Sequence, residues 1–218
     1  MLIVIGGMIG AGKTTVAELL GKKYDSIVLH ENVENNRILP LFYTASKEEQ
    51  ERKRYSFLLQ LEFLNSRFTD VKRAMLAGKN TVLDRSIYED WYFAKVNTEL
   101  GRISPEEFHI YEGLLNNMME EIQDFPKKSP DLFIYLYADF DTIIDRIHSR
   151  GRDFEQDDEL TSYYRKLWEG YDEWVDNEYI ASPVLKINVA EHEVGLVPEQ
   201  QQYLFDQVEH ELTRLGVK

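Results

Sequence analysis

The 218-residue chain contains no cysteine, which excludes a disulfide framework, a thiolate zinc or iron–sulfur site and a cysteine nucleophile. Basic charge is also scarce: 25 Lys+Arg stand against 39 Asp+Glu, a formal charge of −14. Such a balance repels phosphodiester backbones and anionic bilayers, because binding either requires clustered cations. No DNA, RNA or membrane partner is expected. Long apolar runs are missing as well. The first, residues 1–12, is interrupted by Gly6, Gly7, Gly10 and Gly12 and has no basic leader. No later window reaches the roughly 18 apolar residues of a membrane helix. The expectation is a cytoplasmic protein. The five histidines show no metal-ligand spacing and are assigned no chemistry.

What is present is an alternation of short β-branched runs with long amphipathic stretches, the pattern of crossover connections in a parallel sheet. Strands are predicted at residues 2–5, 27–29, 81–83, 132–137 and 184–187. Helices are predicted at 13–23, 47–77, 88–100, 105–123, 141–149, 160–179 and 198–215. Ser104-Pro105-Glu106-Glu107 combines a capping hydroxyl, a first-turn proline and early carboxylates, which fixes one helix start. No repeat, low-complexity tract or long linker divides the chain. The reading is one α/β domain over residues 1–218: five parallel strands, helices on both faces in three layers, and a helical flap.

The sharpest motif is Gly7-Met8-Ile9-Gly10-Ala11-Gly12-Lys13-Thr14, which fits G-x-x-x-x-G-K-[ST] directly after a predicted strand. Glycines let backbone N–H groups turn onto phosphate oxygens, and the following helix presents its positive end. Lys13 reaches the terminal phosphates and the Thr14 hydroxyl suits Mg²⁺. Thr15 is counted with them. A nucleoside triphosphate site follows. The chain has no Asn-Lys-x-Asp guanine-reading element and no Asp-x-x-Gly switch, which argues against a GTPase.

Three further stations lie at the ends of later elements, where doubly wound sheets bind ligands. Glu31 follows the second strand and is a candidate base. Asp84-Arg85-Ser86 follows the third strand, joining a carboxylate able to organise Mg²⁺ to a guanidinium suited to phosphate. Arg146 and Arg150, four residues apart, share a helix face, and Gly151 frees Arg152 to turn toward the same anion. This reads as an Arg-rich lid, about residues 146–158, closing over a triphosphate.

With these motifs in this order, the sequence resembles the deoxycytidine, deoxyguanosine and deoxyadenosine kinase group, a P-loop kinase fold, and most of all its small bacterial members. The resemblance runs from the P-loop through Glu31 and Val33, Tyr43, the helix Tyr55-Ser56-Phe57-Leu58-Leu59-Gln60 and Asp84-Arg85-Ser86-Ile87-Tyr88 to the lid ending in Glu155. It implies that Glu31, with Arg85 beside it, serves as base for a sugar 5′-hydroxyl. It implies that Tyr43 and Glu155 hold the 3′-hydroxyl, that Gln60, Arg67 and Asp90 meet the nucleobase, and that Val33, Phe42, Phe57 and Phe93 form apolar walls. Arg146, Arg150 and Arg152 match the clamp on the donor phosphates, and the loop 188–192 matches in place one that meets the donor base. ATP and Mg²⁺, held by Thr14 and Asp84, are the implied cofactors. A homodimer through helices 47–77 and 105–123 and inhibition by an end-product triphosphate are implied as well. Two positions depart from the pattern: Asn32 stands where proline usually follows the glutamate, and Asp84 where animal members carry glutamate.

The expected reaction is γ-phosphoryl transfer to a deoxynucleoside, with deoxyadenosine leading among bases that Gln60 and Asp90 leave open. An alternative is a thymidylate-kinase-like enzyme acting on a nucleoside monophosphate. A phosphate acceptor is already anionic near neutrality and needs unpaired cations, whereas a sugar hydroxyl profits from a carboxylate such as Glu31. A non-catalytic nucleotide-binding regulator is the remaining alternative, opposed by the presence of both Glu31 and the lid.

Overall fold

Strand β1 (Leu2–Gly7) is a run of β-branched and leucine side chains closing on two glycines, and every residue in it is buried. Such a run belongs in the middle of a parallel sheet, covered on both faces. The computed structural model places it there and describes residues 1–31, 33, 35–122, 129–152, 160–194 and 197–218. Around it lie β2 (Ile27–Leu29), β3 (Thr81–Asp84), β4 (Leu132–Tyr137) and β5 (Val184–Asn188), in the order β2-β3-β1-β4-β5, all parallel. The five-stranded, three-layer α/β expectation holds.

Helices fill the crossovers: α1 (Lys13–Lys23), α2 (Leu39–Thr44), α3 (Lys47–Lys53), α4 (Tyr55–Leu76), α5 (Ile87–Glu99), α6 (Pro105–Ile122), α7 (Phe140–Arg150), α8 (Thr161–Asn177) and α9 (Pro198–Arg214). Helix α1 packs on β1, β2 and β3 and touches α9, while α4, α5 and α6 pack against one another and α5 meets α8. An aromatic block of Tyr92, Phe133, Tyr135, Tyr171 and Trp174 seals α5 and α8 to the sheet; Tyr135 and Tyr171 stack with ring centroids 5.4 Å apart. Among the described residues, no helix is long and apolar enough to cross a membrane.

Two departures from the predicted elements have identifiable partners. The helix expected over 47–77 is broken at Arg54, whose backbone is left-handed at φ 55°. No glycine or proline marks the break. Instead the Arg54 guanidinium makes a two-pronged ion pair with Glu107 of α6, with Nε 2.6 Å from Oε1. Helix α2 was not expected. The Asn36 side chain starts it by accepting the backbone N–H groups of Ile38 and Leu39 at 3.0 and 2.9 Å, with Pro40 in its first turn.

Candidate active site

Because the strands run parallel, their carboxyl ends gather at one edge of the sheet, where crossovers diverge and leave a crevice. A cleft of about 1050 Å³ opens there, reached by residues of the phosphate loop, the segment after β2, helix α4, the β3–α5 turn and the end of α7.

The phosphate loop depends on close backbone approach. Gly7 has φ +140°, and a Cβ on it would stand 2.4 Å from the Leu136 carbonyl oxygen of β4, so only glycine fits. Gly12 caps α1 in the left-handed region at φ 90°. Ile9, Gly10, Gly12, Lys13, Thr14 and Thr15 line the cleft, while Met8 and Ala11 are buried in the core. The Lys13 ammonium donates to the carbonyl oxygens of Gly7 and Met8 at 2.9 and 2.8 Å. Burial, reinforced by repulsion from Arg85, lowers its pKa to about 7 in spite of Glu31, Glu89 and Asp84.

Glu31 sits two residues beyond β2. Its Oε1 accepts from Arg67 Nη2 and from Arg85 Nε, each at 2.9 Å. Burial by itself would raise its pKa, but Arg85, Arg67 and Lys13 outweigh that and hold it at about 2. The carboxylate is therefore ionised throughout the physiological range.

Arg67 ties the site together. From α4 its guanidinium donates to Glu31, to the Asp84 carbonyl oxygen at 3.1 Å and to Asp90 Oδ2 at 3.2 Å. Burial pushes the Asp90 carboxyl up to about 6, against the pull of Arg67 and Arg85. Glu31, Asp84 and Asp90 thus interleave with Lys13, Arg67 and Arg85.

Asp84 ends β3 in register with Ile5, at the mouth of the phosphate loop. Its Oδ2 accepts the Thr14 hydroxyl at 2.6 Å, while its buried Oδ1 has no hydrogen-bond partner among the described residues. A buried carboxylate oxygen without a donor suits a hydrated cation. Arg85 follows with φ 86°, a left-handed conformation that costs a non-glycine residue about 1–3 kcal/mol. Its N–H donates to Ile5 O at 2.8 Å, and its guanidinium lies 4.8 Å from the centre of the Phe93 ring.

Val33, Phe42, Tyr43, Gln60 and Phe93 all line the cleft. The Gln60 side chain is buried, and its Oε1 lacks a partner among the described residues, so an amide acceptor is held in the wall. Phe57, expected as an apolar wall, is not among the residues that line the cleft. It packs partly buried against the core instead. The wall aromatics the sequence reading missed are Phe63 and Tyr163, with Leu39 and Leu59 as further apolar lining. Phe63 was detectable, since Gln60, Phe63 and Arg67 recur at i, i+3 and i+7 on one helical stripe. Tyr163 lies about 100 residues away on α8, beyond the reach of local pattern.

Arg146, Arg150 and Arg152 reach the cleft from the end of α7, which Gly151 terminates at φ 67°. Arg146 Nη2 donates to Val189 O at 2.6 Å, joining this cluster to the loop after β5. Residues 188–192 of that loop are not part of the lining. His192 instead stacks on Tyr203 and bonds Gln200 at 2.9 Å. Glu155, and the predicted lid from residue 153 onward, lie outside the described residues.

A glycine cradle after the first strand of a parallel sheet, lining one cleft with three arginines from the end of α7, is the architecture of the P-loop kinase class. Comparison with known proteins narrows the class. The family model described as deoxynucleoside kinase matches residues 3–213. The chain is 40% identical to a deoxyguanosine kinase of Lactobacillus johnsonii over 99% of its length and 94% of the relative's. It is 38% identical to a deoxyadenosine kinase of Lactobacillus acidophilus over 99% and 98%. A structure of deoxyadenosine kinase from M. mycoides with bound dATP superposes with a TM-score of 0.77 at 29% identity, covering 96% of this chain and all of the other. The chain belongs to the deoxynucleoside kinase family and is a kinase.

Proposed function

We propose that the protein transfers the γ-phosphate of Mg²⁺-ATP to the 5′-hydroxyl of a purine deoxynucleoside, deoxyadenosine first, in nucleotide salvage. The observation that carries this is the Glu31 carboxylate, fixed by two arginines in the cleft that also contains the phosphate loop. In the reaction a bond forms between the 5′-oxygen and Pγ, the bond from Pγ to the β,γ-bridging oxygen breaks, and ADP leaves. The hydroxyl proton passes to Glu31. A carboxylate with a pKa near 2 is a weak base, so its main work is to hold the hydroxyl in line. It accepts the proton late, when bonding to phosphorus has made that proton acidic.

The loop amides and Lys13 hold the donor phosphates, and Arg85, Arg146, Arg150 and Arg152 neutralise charge on the phosphoryl in flight. Thr14 and Asp84 would hold Mg²⁺, which supplies charge neutralisation at the β- and γ-phosphates when bound. Tyr43 meets the 3′-hydroxyl, with Glu155 proposed as its companion. Gln60 and Asp90 read the base. Among the described residues, Arg67 and Arg85 are already paired to Glu31 and Asp90, which favours a neutral hydroxyl acceptor over a nucleoside monophosphate.

The relatives favour a second reading of the base, because their names include deoxyguanosine kinase. A coupled ADP-release assay with each of the four deoxynucleosides decides between them. No turnover with any would refute the proposal. The dATP bound to the M. mycoides relative supports end-product inhibition, tested by adding dATP and dGTP to the same assay. Exposed Leu58 of α4 with Ile110 and Leu114 of α6 supports a homodimer, tested by light scattering.

A further inference from the structure

Glu89 is the most deeply buried carboxylate of the cleft's surroundings, fully removed from solvent, and the mechanism above gives it no task. Its local role is ordinary: as the third residue of α5 it completes a capping box, with Oε2 accepting Ser86 N–H at 2.7 Å. A capping-box glutamate needs nothing more and commonly sits in water. Here the other oxygen, Oε1, accepts the Gly7 N–H of the phosphate loop at 2.9 Å and the Tyr171 hydroxyl of α8, and lies 3.5 Å from Arg85 Nη1. Room for this carboxylate is made by Gly6, where a Cβ would come within 2.9 Å of Glu89 Oε2 and 2.2 Å of the Phe133 ring.

These contacts bracket Arg85, the residue whose left-handed backbone must be held in place by its surroundings. The peptide on its carboxyl side is fixed through Ser86 N–H, and its guanidinium is drawn back by Oε1 while Glu31 holds Nε. The same carboxylate fixes the entrance of the phosphate loop. We propose that Glu89 is a positioning residue that sets Arg85 and the phosphate loop in fixed relation, so that the guanidinium and the donor phosphates meet in the geometry of transfer. This rests on the reading of Arg85 as a phosphate-contacting residue. An acceptor-only group suits this place, because each carboxylate oxygen accepts a backbone N–H, from Gly7 or from Ser86; an amide would turn its NH₂ toward one of the two.

The test is a double-mutant cycle between Glu89→Gln and Arg85→Lys, with turnover expressed per folded enzyme. Glu89→Gln alone is expected to lower kcat by about 10–100-fold, the scale of a misplacement near 1 Å, with KM for ATP and nucleoside within about 2-fold. In the Arg85→Lys background the same change should cost less than about 3-fold, since the group it positions is already altered. A loss of equal size in both backgrounds, or a lowered melting temperature with unchanged kcat, would make Glu89 a purely structural residue and overturn the inference. If Glu89→Gln fails to fold, Tyr171→Phe, which removes one donor only, decides: a kcat loss of about 3–10-fold that disappears with Arg85→Lys supports the proposal, and wild-type kcat refutes it. Full turnover by Arg85→Lys would sink the role assigned to Arg85 and this inference with it. A crippled Arg85→Lys enzyme beside a fully active Glu89→Gln enzyme would sink the inference alone.

Discussion

Replacing Glu31 by Gln tests the network and the chemistry together. Glutamine keeps the shape and imitates the protonated acid, leaving Arg67 and Arg85 buried with one fewer countercharge. A carboxyl whose pKa falls from 4.5 to about 2 on folding favours the folded state by about 3 kcal/mol when ionised. With a urea slope of about 2–3 kcal/mol per molar, the midpoint of the variant at pH 7 should lie roughly 1–1.5 M below wild type. Since the folded pKa is depressed, this advantage is complete above the unfolded value and is lost as pH falls through the folded one. At pH 3 the gap should shrink to under half. Turnover, followed by ADP release, should fall by about 10²–10⁴-fold while nucleoside binding persists. Coincident urea curves at pH 7, or a gap undiminished at pH 3, would refute the electrostatic argument. Near-normal turnover would remove Glu31 from the reaction.

Other outcomes follow from the same geometry. Because the Lys13 pKa lies at about 7 in the free protein, kcat/KM for ATP should decline as pH rises above neutrality, and a Lys13→Arg variant should shift that decline upward. Asp84→Asn should raise the Mg²⁺ concentration for half-maximal activity by about 10–100-fold, measured by titrating the metal at saturating ATP; an unchanged requirement would free Asp84 from that role. Tyr43→Phe should reduce kcat/KM for deoxynucleosides more than for their 3′-deoxy analogues, and an equal loss for both would mark the tyrosine as structural. Phe63→Ala should raise KM for nucleoside, whereas Phe57→Ala should leave it within about 2-fold, because only the former lines the cleft.

Much of this architecture was legible because its signals are local. The glycine spacing, the short β-branched runs and the amphipathic stretches each act over a few residues, and all five strands lie where those runs predict. What escaped was set by distant partners. Arg54 turns left-handed because Glu107 waits on another helix, and nothing in Lys47-Glu48-Glu49-Gln50 announces it. Helix α2 is six residues, too short for periodicity to register. Phe57 was misplaced because motif membership is a statement about sequence order, whereas lining a cleft is a statement about angle around a helix. Tyr163 offered no spacing at all, and the Ser86-x-x-Glu89 spacing announces a helix cap but not the contact with the phosphate loop, which exists only once α5 and α8 pack against the sheet.

The three-way grip of Arg67 has a consequence for anyone retuning this enzyme toward other bases. One guanidinium belongs both to the side proposed to recognise the nucleobase, through Asp90, and to the side proposed to receive the proton, through Glu31. An Asp90 substitution chosen to welcome a new base would release one of that guanidinium's three anchors and let it lean harder on the glutamate. On the proposed roles selectivity and speed are mechanically linked, and a library that varies Asp90 while keeping Arg67 fixed should return altered preference mainly among slower enzymes.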